Sequence, residues 1–250
     1  MIDLHTHILP HIDDGAKDTE MSAAMLKAEY KQGVDTIVLT SHYYGKKRSP
    51  EDFLAHRNSL YEHIKPRIPE GLKVLLGAEV HFTGVNNAEY GELCKLAIEG
   101  TKYILIEFPF TNAWTKSLLD RLADFIYYTD YTPIIAHAER YKEIWKKPSL
   151  ITELVSMGCL IQVNLSSFAD KRAKKLAYAM LKHGYVHCLG TDTHDMGVRA
   201  PDWSVKEKLL SEGYSSQWER AQSIMEKVVT GEHVRVELGK PIRKFFGKYF

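Results

Sequence analysis

The sequence predicts an α/β fold: a closed parallel barrel making up one domain over residues 1–250. Three observations carry that expectation. Short β-branched or apolar runs alternate with longer stretches of helical period, the signature of strand–helix crossover units and a parallel sheet. Each apolar run turns polar at its C-terminal end, where histidines and carboxylates collect. Active sites of α/β barrels assemble at that end from several strands, whereas an open sheet gathers its residues mainly at one switch point. A length of 250 residues also suits a single barrel.

The elements follow in order. MIDLHTH at the N-terminus is strand one. Strand side chains alternate, so His5 and His7 share one side, with Ile2 and Leu4 on the other. Residues 19–32 read as a helix stopped by Gly33. VDTIVLTSH is strand two and ends in His42. Ser49 is a candidate cap for a helix over 50–65, with Pro50 at its first position. LKVLLGAEVH is strand three, bringing Glu79 and then His81, and a helix follows over 87–99. KYILIEFPF is strand four, with Glu107, followed by a helix over 114–129. TPIIAHAER is strand five, with His137, and a helix near 149–157 is closed by Gly158. CLIQVN is strand six, followed by a helix over 170–183. YVHCLGTDTH is strand seven, with Asp192 and His194, and two further helices cover 202–212 and 216–229.

Composition excludes several classes. Lys+Arg is 33 against Asp+Glu 32, a net charge of +1 that gives a nucleic-acid binder little help. No apolar run approaches the ~20 residues of a membrane span, so no membrane insertion is expected. The three cysteines are odd in number and form no CxxC pair. With no signal peptide at the N-terminus, they read as reduced core thiols of a cytoplasmic protein.

The polar residues at the strand ends are metal-ligand types. An HxH pair on a strand is a two-nitrogen claw, and His42, Glu79, Glu107, His137, Asp192 and His194 add to it. Burying so many ionisable groups together is costly unless they pair or coordinate cations. Imidazole and carboxylate without thiolate suit manganese, iron or zinc in a catalytic site. The set exceeds one ion's needs. His5, His7, Glu79, Glu107, His137 and Asp192 could hold two ions, with Glu79 bridging, and Asp14, His42 and His194 a third. Multinuclear sites of this kind hydrolyse phosphoesters, generating hydroxide near neutral pH and clamping the phosphoryl group. Arg140 and Arg199 lie on loops leaving the same end, and a guanidinium matches paired phosphate oxygens.

In this order, DLHTH, SH, GAE, IEF, AHAER and GTDTH resemble the PHP (polymerase and histidinol phosphatase) superfamily. The wider stretches MIDLHTHILPHIDDGAKD, YILIEFPF, PIIAHAERY and MGCLIQVN are similar to the PHP-type protein tyrosine phosphatases of bacterial capsule and exopolysaccharide clusters. Over roughly residues 1–200, that resemblance implies a distorted (βα)7 barrel with extra C-terminal helices. It also implies a trinuclear site, commonly of manganese, acting on the phosphotyrosine tail of a membrane-anchored bacterial tyrosine kinase. Carried over by motif, His5, His7, Glu79 and Asp192 would surround the first ion. Glu79, Glu107 and His137 would hold the second, and Asp14, His42 and His194 the third, with Arg140 and Arg199 binding phosphate. Many superfamily members place a histidine where DDG puts Asp14, and the DDG form agrees with the tyrosine-phosphatase branch.

By the same analogy His11 is a rim residue and His81 a candidate substrate contact, while His56, His63, His183, His187 and His233 are ordinary surface or core-edge histidines. A cysteine-dependent phosphatase is excluded, because it needs an arginine six residues past its thiolate. Six past Cys94, Cys159 and Cys188 stand Gly100, Leu165 and His194. The alternatives are a PHP phosphatase for a small phosphoester such as histidinol phosphate, a TatD-like deoxyribonuclease, and a non-catalytic metal-binding module. The basic stretches Lys46–Arg48 and Lys171–Lys175 and the tail KPIRKFFGKYF read as solvated faces, or as a rim near a phosphorylated tail or a membrane. The tail aromatics Phe245, Phe246, Tyr249 and Phe250 could instead pack on the barrel or on a second subunit, leaving homo-oligomer formation open.

Overall fold

β1 (Ile2–Thr6) is buried along its whole length. In the computed structural model, which describes residues 1–83, 89–110 and 114–250, it pairs in parallel with β2 (Thr36–Leu39), and β2 pairs with β4 (Lys73–Leu76). Both β2 and β4 then break. They resume as β3 (His42–Tyr43) and β5 (Glu79–His81), which pair with each other. From β3 a six-stranded parallel sheet runs through β5, β6 (Tyr103–Glu107), β7 (Thr132–Ile135), β8 (Leu160–Asn164) and β9 (Cys188–Gly190). It curls as a half-barrel, and a parallel bridge from Thr6 to Thr193 joins its far end to β1.

The strands predicted as VDTIVLTSH and LKVLLGAEVH are therefore each divided in two. At the first break the Thr40 hydroxyl accepts the Thr6 N–H at 3.0 Å, so a side chain takes the place of a ladder bond. At the second, the buried Arg57 guanidinium donates to the Gly77 carbonyl at 3.0 Å. These exchanges let the chain bend without leaving buried backbone groups unpaired.

The helices lie where the periodicity put them, with trimmed ends. Asp18 caps α1 (Thr19–Lys31) by accepting the Met21 N–H. Ser49 caps α2 (Pro50–Ile64) through the Asp52 N–H, with Pro50 first in the helix as expected. The helix predicted over 87–99 falls partly outside the described residues, and the described part holds only the short α3 (Tyr90–Cys94). α4 (Lys116–Thr129) is capped by Thr115. α5 (Lys142–Lys146), which the sequence did not suggest, precedes α6 (Ser149–Ser156). α7 (Lys174–Lys182) starts later than predicted because Asp170 first caps a turn through the Arg172 and Ala173 N–H groups. α8 (Val205–Ser211) and α9 (Ser215–Thr230) follow, and a small hairpin of β10 (Lys244–Phe245) and β11 (Lys248–Tyr249) ends the chain. Among the described residues no helix is long and apolar enough to cross a membrane.

His187 is not at the core edge but fully inside, where its Nδ1 accepts the Ile161 N–H at 3.0 Å. Burial lowers its pKa to about 3. Between pH 6.5 and about 3 the unfolded chain therefore binds a proton that the folded chain refuses. Stability from this group is fully present above pH 6.5 and declines as the pH falls below it, by up to roughly 1.4 kcal/mol per pH unit. His187→Asn keeps an acceptor without the titration, so urea midpoints measured from pH 7.5 to 5 should fall less steeply for the variant than for the parent. Equal slopes would exclude His187 as a source of acid sensitivity.

Candidate metal centre

The centre is built where the strands end. His5 and His7, two apart on β1, turn their Nε2 atoms to within 3.1 Å of each other. Glu79, at the start of β5, places Oε2 3.2 Å from His5 Nε2, 3.3 Å from His7 Nε2 and 2.9 Å from His42 Nδ1. Its other oxygen lies 2.9 Å from His137 Nε2, which stands 3.6 Å from Glu107 Oε1. Asp192 Oδ1 lies 3.7 and 3.5 Å from the same nitrogens of His5 and His7. Asp14 Oδ1 is 3.5 Å from both His42 Nε2 and His194 Nε2.

All nine predicted ligand residues thus come together, in overlapping groups whose donor atoms lie within 4.8 Å of one another. These are His5, His7 and Asp192; His5, Glu79 and His137; His42, Glu79 and Glu107; and His7, Asp14, His42 and His194. His5, His7 and Glu79 are completely buried, while Asp14 is exposed at the mouth. The donor set fits a cation better than it fits itself. Glu79 Oε2, His42 Nδ1 and His194 Nε2 are buried yet lack a partner in hydrogen-bonding geometry. Such orphaned buried atoms are costly unless a ligand satisfies them.

Two of these residues occupy backbone that L-residues seldom adopt. His137 has φ 32° and Asp192 φ 55°. The left-handed region costs about 1–2 kcal/mol and is held here by bonds from both backbones. The His137 N–H donates to Gln162 Oε1 at 2.6 Å, and the Asp192 N–H to the His5 carbonyl at 2.8 Å. The turn at His137 ends β7 at Ile135, so the strand predicted through Arg140 stops early and a 3-10 turn carries Ala138–Arg140. Close packing also demands glycine twice. A Cβ on Gly15 would sit 2.1 Å from the His7 carbonyl oxygen, and one on Gly190 2.7 Å from His5 Cβ.

A supporting layer escaped the sequence reading. Asp13 accepts from His7 Nδ1 and from the His42 N–H, each at 2.8 Å, fixing one ring and the approach of the other. Gln162 Oε1 lies 3.2 Å from His5 Nδ1, and its amide donates to Asn164, which donates to Asp192 Oδ2 at 2.8 Å. Below them Asp3 accepts from the His5 N–H, the Thr191 N–H and the Thr191 hydroxyl. Burial raises the Asp3 pKa to about 6 and that of nearby Glu29 well above the usual range, and Trp203 donates to Glu29 at 2.8 Å. The available signals were Gln162 and Asn164, two polar residues two apart on an apolar strand, and Asp13, the first aspartate of DDG. Outer partners of this kind fix ring orientation and ligand basicity in metal sites.

The cluster polarises itself. Burial alone would lower the pKa values of His5 and His7, but the facing carboxylates raise both. Burial would raise Glu79 and Asp192, but the surrounding histidines hold both well down. Ligating imidazoles must be neutral, so cations entering here displace protons. Arg140 Nη1 and Arg199 Nη2 grip opposite oxygens of Asp192 at 2.9 and 2.8 Å, with both guanidiniums partly exposed. They line a groove of about 720 Å³ together with Phe110, Trp145 and Asn164. His81 Nδ1 lies 3.0 Å from Glu107 Oε2 at the edge of the cluster, and His11 stays exposed on the loop after β1. The thiols of Cys159 and Cys188 are buried and pushed up by burial, as inert core cysteines should be.

Comparison with known proteins agrees with this geometry. The family described as capsular polysaccharide synthesis, CpsB/CapC, matches residues 1–227. Tyrosine-protein phosphatase CpsB of Streptococcus agalactiae serotype III is 33% identical over 244 residues, covering 90% of this chain and 98% of that protein. Tyrosine-protein phosphatase YwqE of Bacillus subtilis is 35% identical over 209 residues, 80% of this chain and 79% of that one. A crystal structure from work on YwqE of Bacillus subtilis and CpsB of Streptococcus pneumoniae, described as unique metal-dependent tyrosine phosphatases, superposes with a TM-score of 0.82 at 28% identity. It covers 98% of this chain and 100% of that one. The resemblance carried by HTH, DDG, AHAER and GTDTH is thus matched along nearly the whole sequence, and the chain belongs to the CpsB/CapC family of capsular polysaccharide synthesis.

Proposed function

We propose that this chain is a metal-dependent protein tyrosine phosphatase that removes phosphate from the tyrosine-rich tail of a membrane-anchored bacterial kinase and so regulates capsule or exopolysaccharide synthesis. The observation that carries the reading is Glu79. Its two oxygens face separate histidine sets, inside a ring of nine donors flanked by two arginines.

In this reading the chain is one cytoplasmic domain over residues 1–250. Counting β2 with β3 and β4 with β5 as single bent strands, the parallel order and the Thr6–Thr193 bridge support a distorted (βα)7 barrel. Two or three manganese ions, with iron or zinc as alternatives, would be held as the motifs imply. His5, His7, Glu79 and Asp192 would hold the first ion, Glu79, Glu107 and His137 the second, and Asp14, His42 and His194 the third. When bound, such ions supply Lewis acidity and a nucleophile near neutral pH. The chain's own residues do the rest. Arg140 and Arg199 receive the equatorial phosphate oxygens and offset the charge that develops there. Asp13 and Gln162 keep the His7 and His5 rings in register. A phenol leaves with a pKa of about 10, so it needs less proton assistance than an alkyl alcohol.

Phe110 is placed to receive the aromatic ring of the substrate. It stacks on His137 and Tyr141, lies 5.2 Å beneath the Arg140 guanidinium and is 39% exposed to the groove. Phe110→Ala should lower kcat/KM for a phosphotyrosine peptide about tenfold, the loss of one aromatic contact of roughly 1–1.5 kcal/mol. Turnover of an aliphatic phosphoester should stay the same; an equal loss on both substrates would remove Phe110 as a reader of the ring.

The deciding assay compares a phosphotyrosine peptide with histidinol phosphate, each with manganese and with EDTA. Manganese-dependent preference for the peptide is expected. Preference for histidinol phosphate would move the chain to small-molecule metabolism, and no turnover with metal bound would leave a binding module.

A further inference from the structure

The C-terminal hairpin has no part in the metal centre, yet it is firmly built. Arg243 and Phe250 exchange both backbone hydrogen bonds, at 2.7 and 2.8 Å, and Phe245 pairs with Lys248. Phe246 and Gly247 form a two-residue turn with φ values of 45° and 73°. Both positions in the left-handed region is the pattern of a type I′ hairpin turn, where a bulky residue is uncommon. Ile242 is buried and Tyr249 packs against the core beside α7, so one side of the hairpin is anchored. Lys244 Nζ also donates to the Trp145 carbonyl at 2.5 Å, tying the hairpin to α5 at the margin of the catalytic groove.

The other side is bare. Phe245, Phe246 and Phe250 are 68%, 90% and 58% exposed, and the first two rings touch each other, their centroids 4.4 Å apart. Residues 238–250 carry Lys240, Arg243, Lys244 and Lys248 and no acidic side chain. The neighbouring approach to α7 adds exposed Lys171, Arg172, Lys174 and Lys175.

We propose that this hairpin is a docking tip for an anionic lipid surface, with the phenylalanine rings at headgroup depth and the cations among the headgroups. The charge identifies the occupant. Rings fringed by Lys and Arg match an interface of anionic lipid. A second copy of the same hairpin would set cation against cation. The three rings offer only roughly 400 Å² of apolar surface, about half of what one side of a stable protein interface buries. Docking of this kind is attachment from outside and agrees with the lack of a spanning helix among the described residues. Because α5 links the hairpin to the groove, it would hold the catalytic mouth near the bilayer. The proposal does not rest on the phosphatase reading.

The test is co-sedimentation of the full chain with vesicles of phosphatidylcholine alone and of phosphatidylcholine with 30 mol% phosphatidylglycerol. Binding to the anionic vesicles is expected at low salt, weakened by 0.5 M NaCl and slight on phosphatidylcholine alone. Phe245→Ser with Phe246→Ser should reduce it at least about tenfold, and Lys240→Glu with Lys248→Glu, both exposed and outside the tie to α5, should do the same. Thermal melting and turnover of a soluble phosphopeptide should remain at parental levels in both variants, separating lost docking from lost folding. No binding to anionic vesicles, or binding unchanged in the phenylalanine variant, overturns the proposal. So does a parental dimer in light scattering that the phenylalanine variant converts to monomer without vesicle binding, which would assign the rings to a second copy.

Discussion

Glu79→Gln should lower kcat/KM by at least about a thousandfold, a loss of roughly 4 kcal/mol of transition-state stabilisation. The amide keeps the volume of the carboxylate and removes its charge. At Glu79 that charge faces His5, His7 and His42 through one oxygen and His137 through the other. No other carboxylate in the cluster meets so many imidazoles, so no neighbour can replace it. Metal analysis of the purified variant should show fewer ions per chain than the parent. Its thermal midpoint without added metal should also fall, because buried imidazoles would lose their counter-charge. Parental metal content with turnover within tenfold of the parent would mean that Glu79 does not link the ion sites.

Arg140→Ala and Arg199→Ala carry the second large effect. Each should cost roughly 2–4 kcal/mol in kcat/KM, on the scale of losing one strong donor to a developing oxyanion. Lysine should rescue poorly, since it offers a point charge in place of a planar fork. Both guanidiniums grip Asp192, so the double variant should lose less than the sum of the single losses. Metal content should stay parental, which separates phosphate recognition from metal retention. Variants at either position with unaltered kcat/KM would remove the arginines from phosphate binding.

The ligand ring was legible because its chemistry is conspicuous. Histidines and carboxylates at the ends of apolar strands have few bland explanations, and all nine converge. The supporting layer was harder to see. Asp13 looks like half of a turn, and Gln162 and Asn164 look like polar residues at a strand end, until all three prove to be packed against ligands. The broken strands left little trace in the hydrophobic pattern: Thr40 fits a continuous strand as well as a divided one, and Gly77 alone signals a bend. The strained backbone at His137 and Asp192 ran against local preference, as positions held by function tend to do. The hairpin was hidden for a related reason: its turn is Phe-Gly, without the Asn or Asp that usually announces one.

The far ends of the sheet meet beside the centre. β1 and the segment after β9 are joined by the Thr6–Thr193 bridge, the His7 N–H to the Thr193 carbonyl at 2.9 Å, and the Asp192 N–H to the His5 carbonyl at 2.8 Å. His5 and His7 stand on one side of that seam, Asp192 and His194 on the other. A cation held from both sides would therefore act as a clasp across that seam. The seam lies between β1 and the end of β9, the most distant in sequence of the parallel strands and the costliest of them to bring together. Metal occupancy would therefore add to the backbone bonds that already hold the seam, so removing metal should loosen it first.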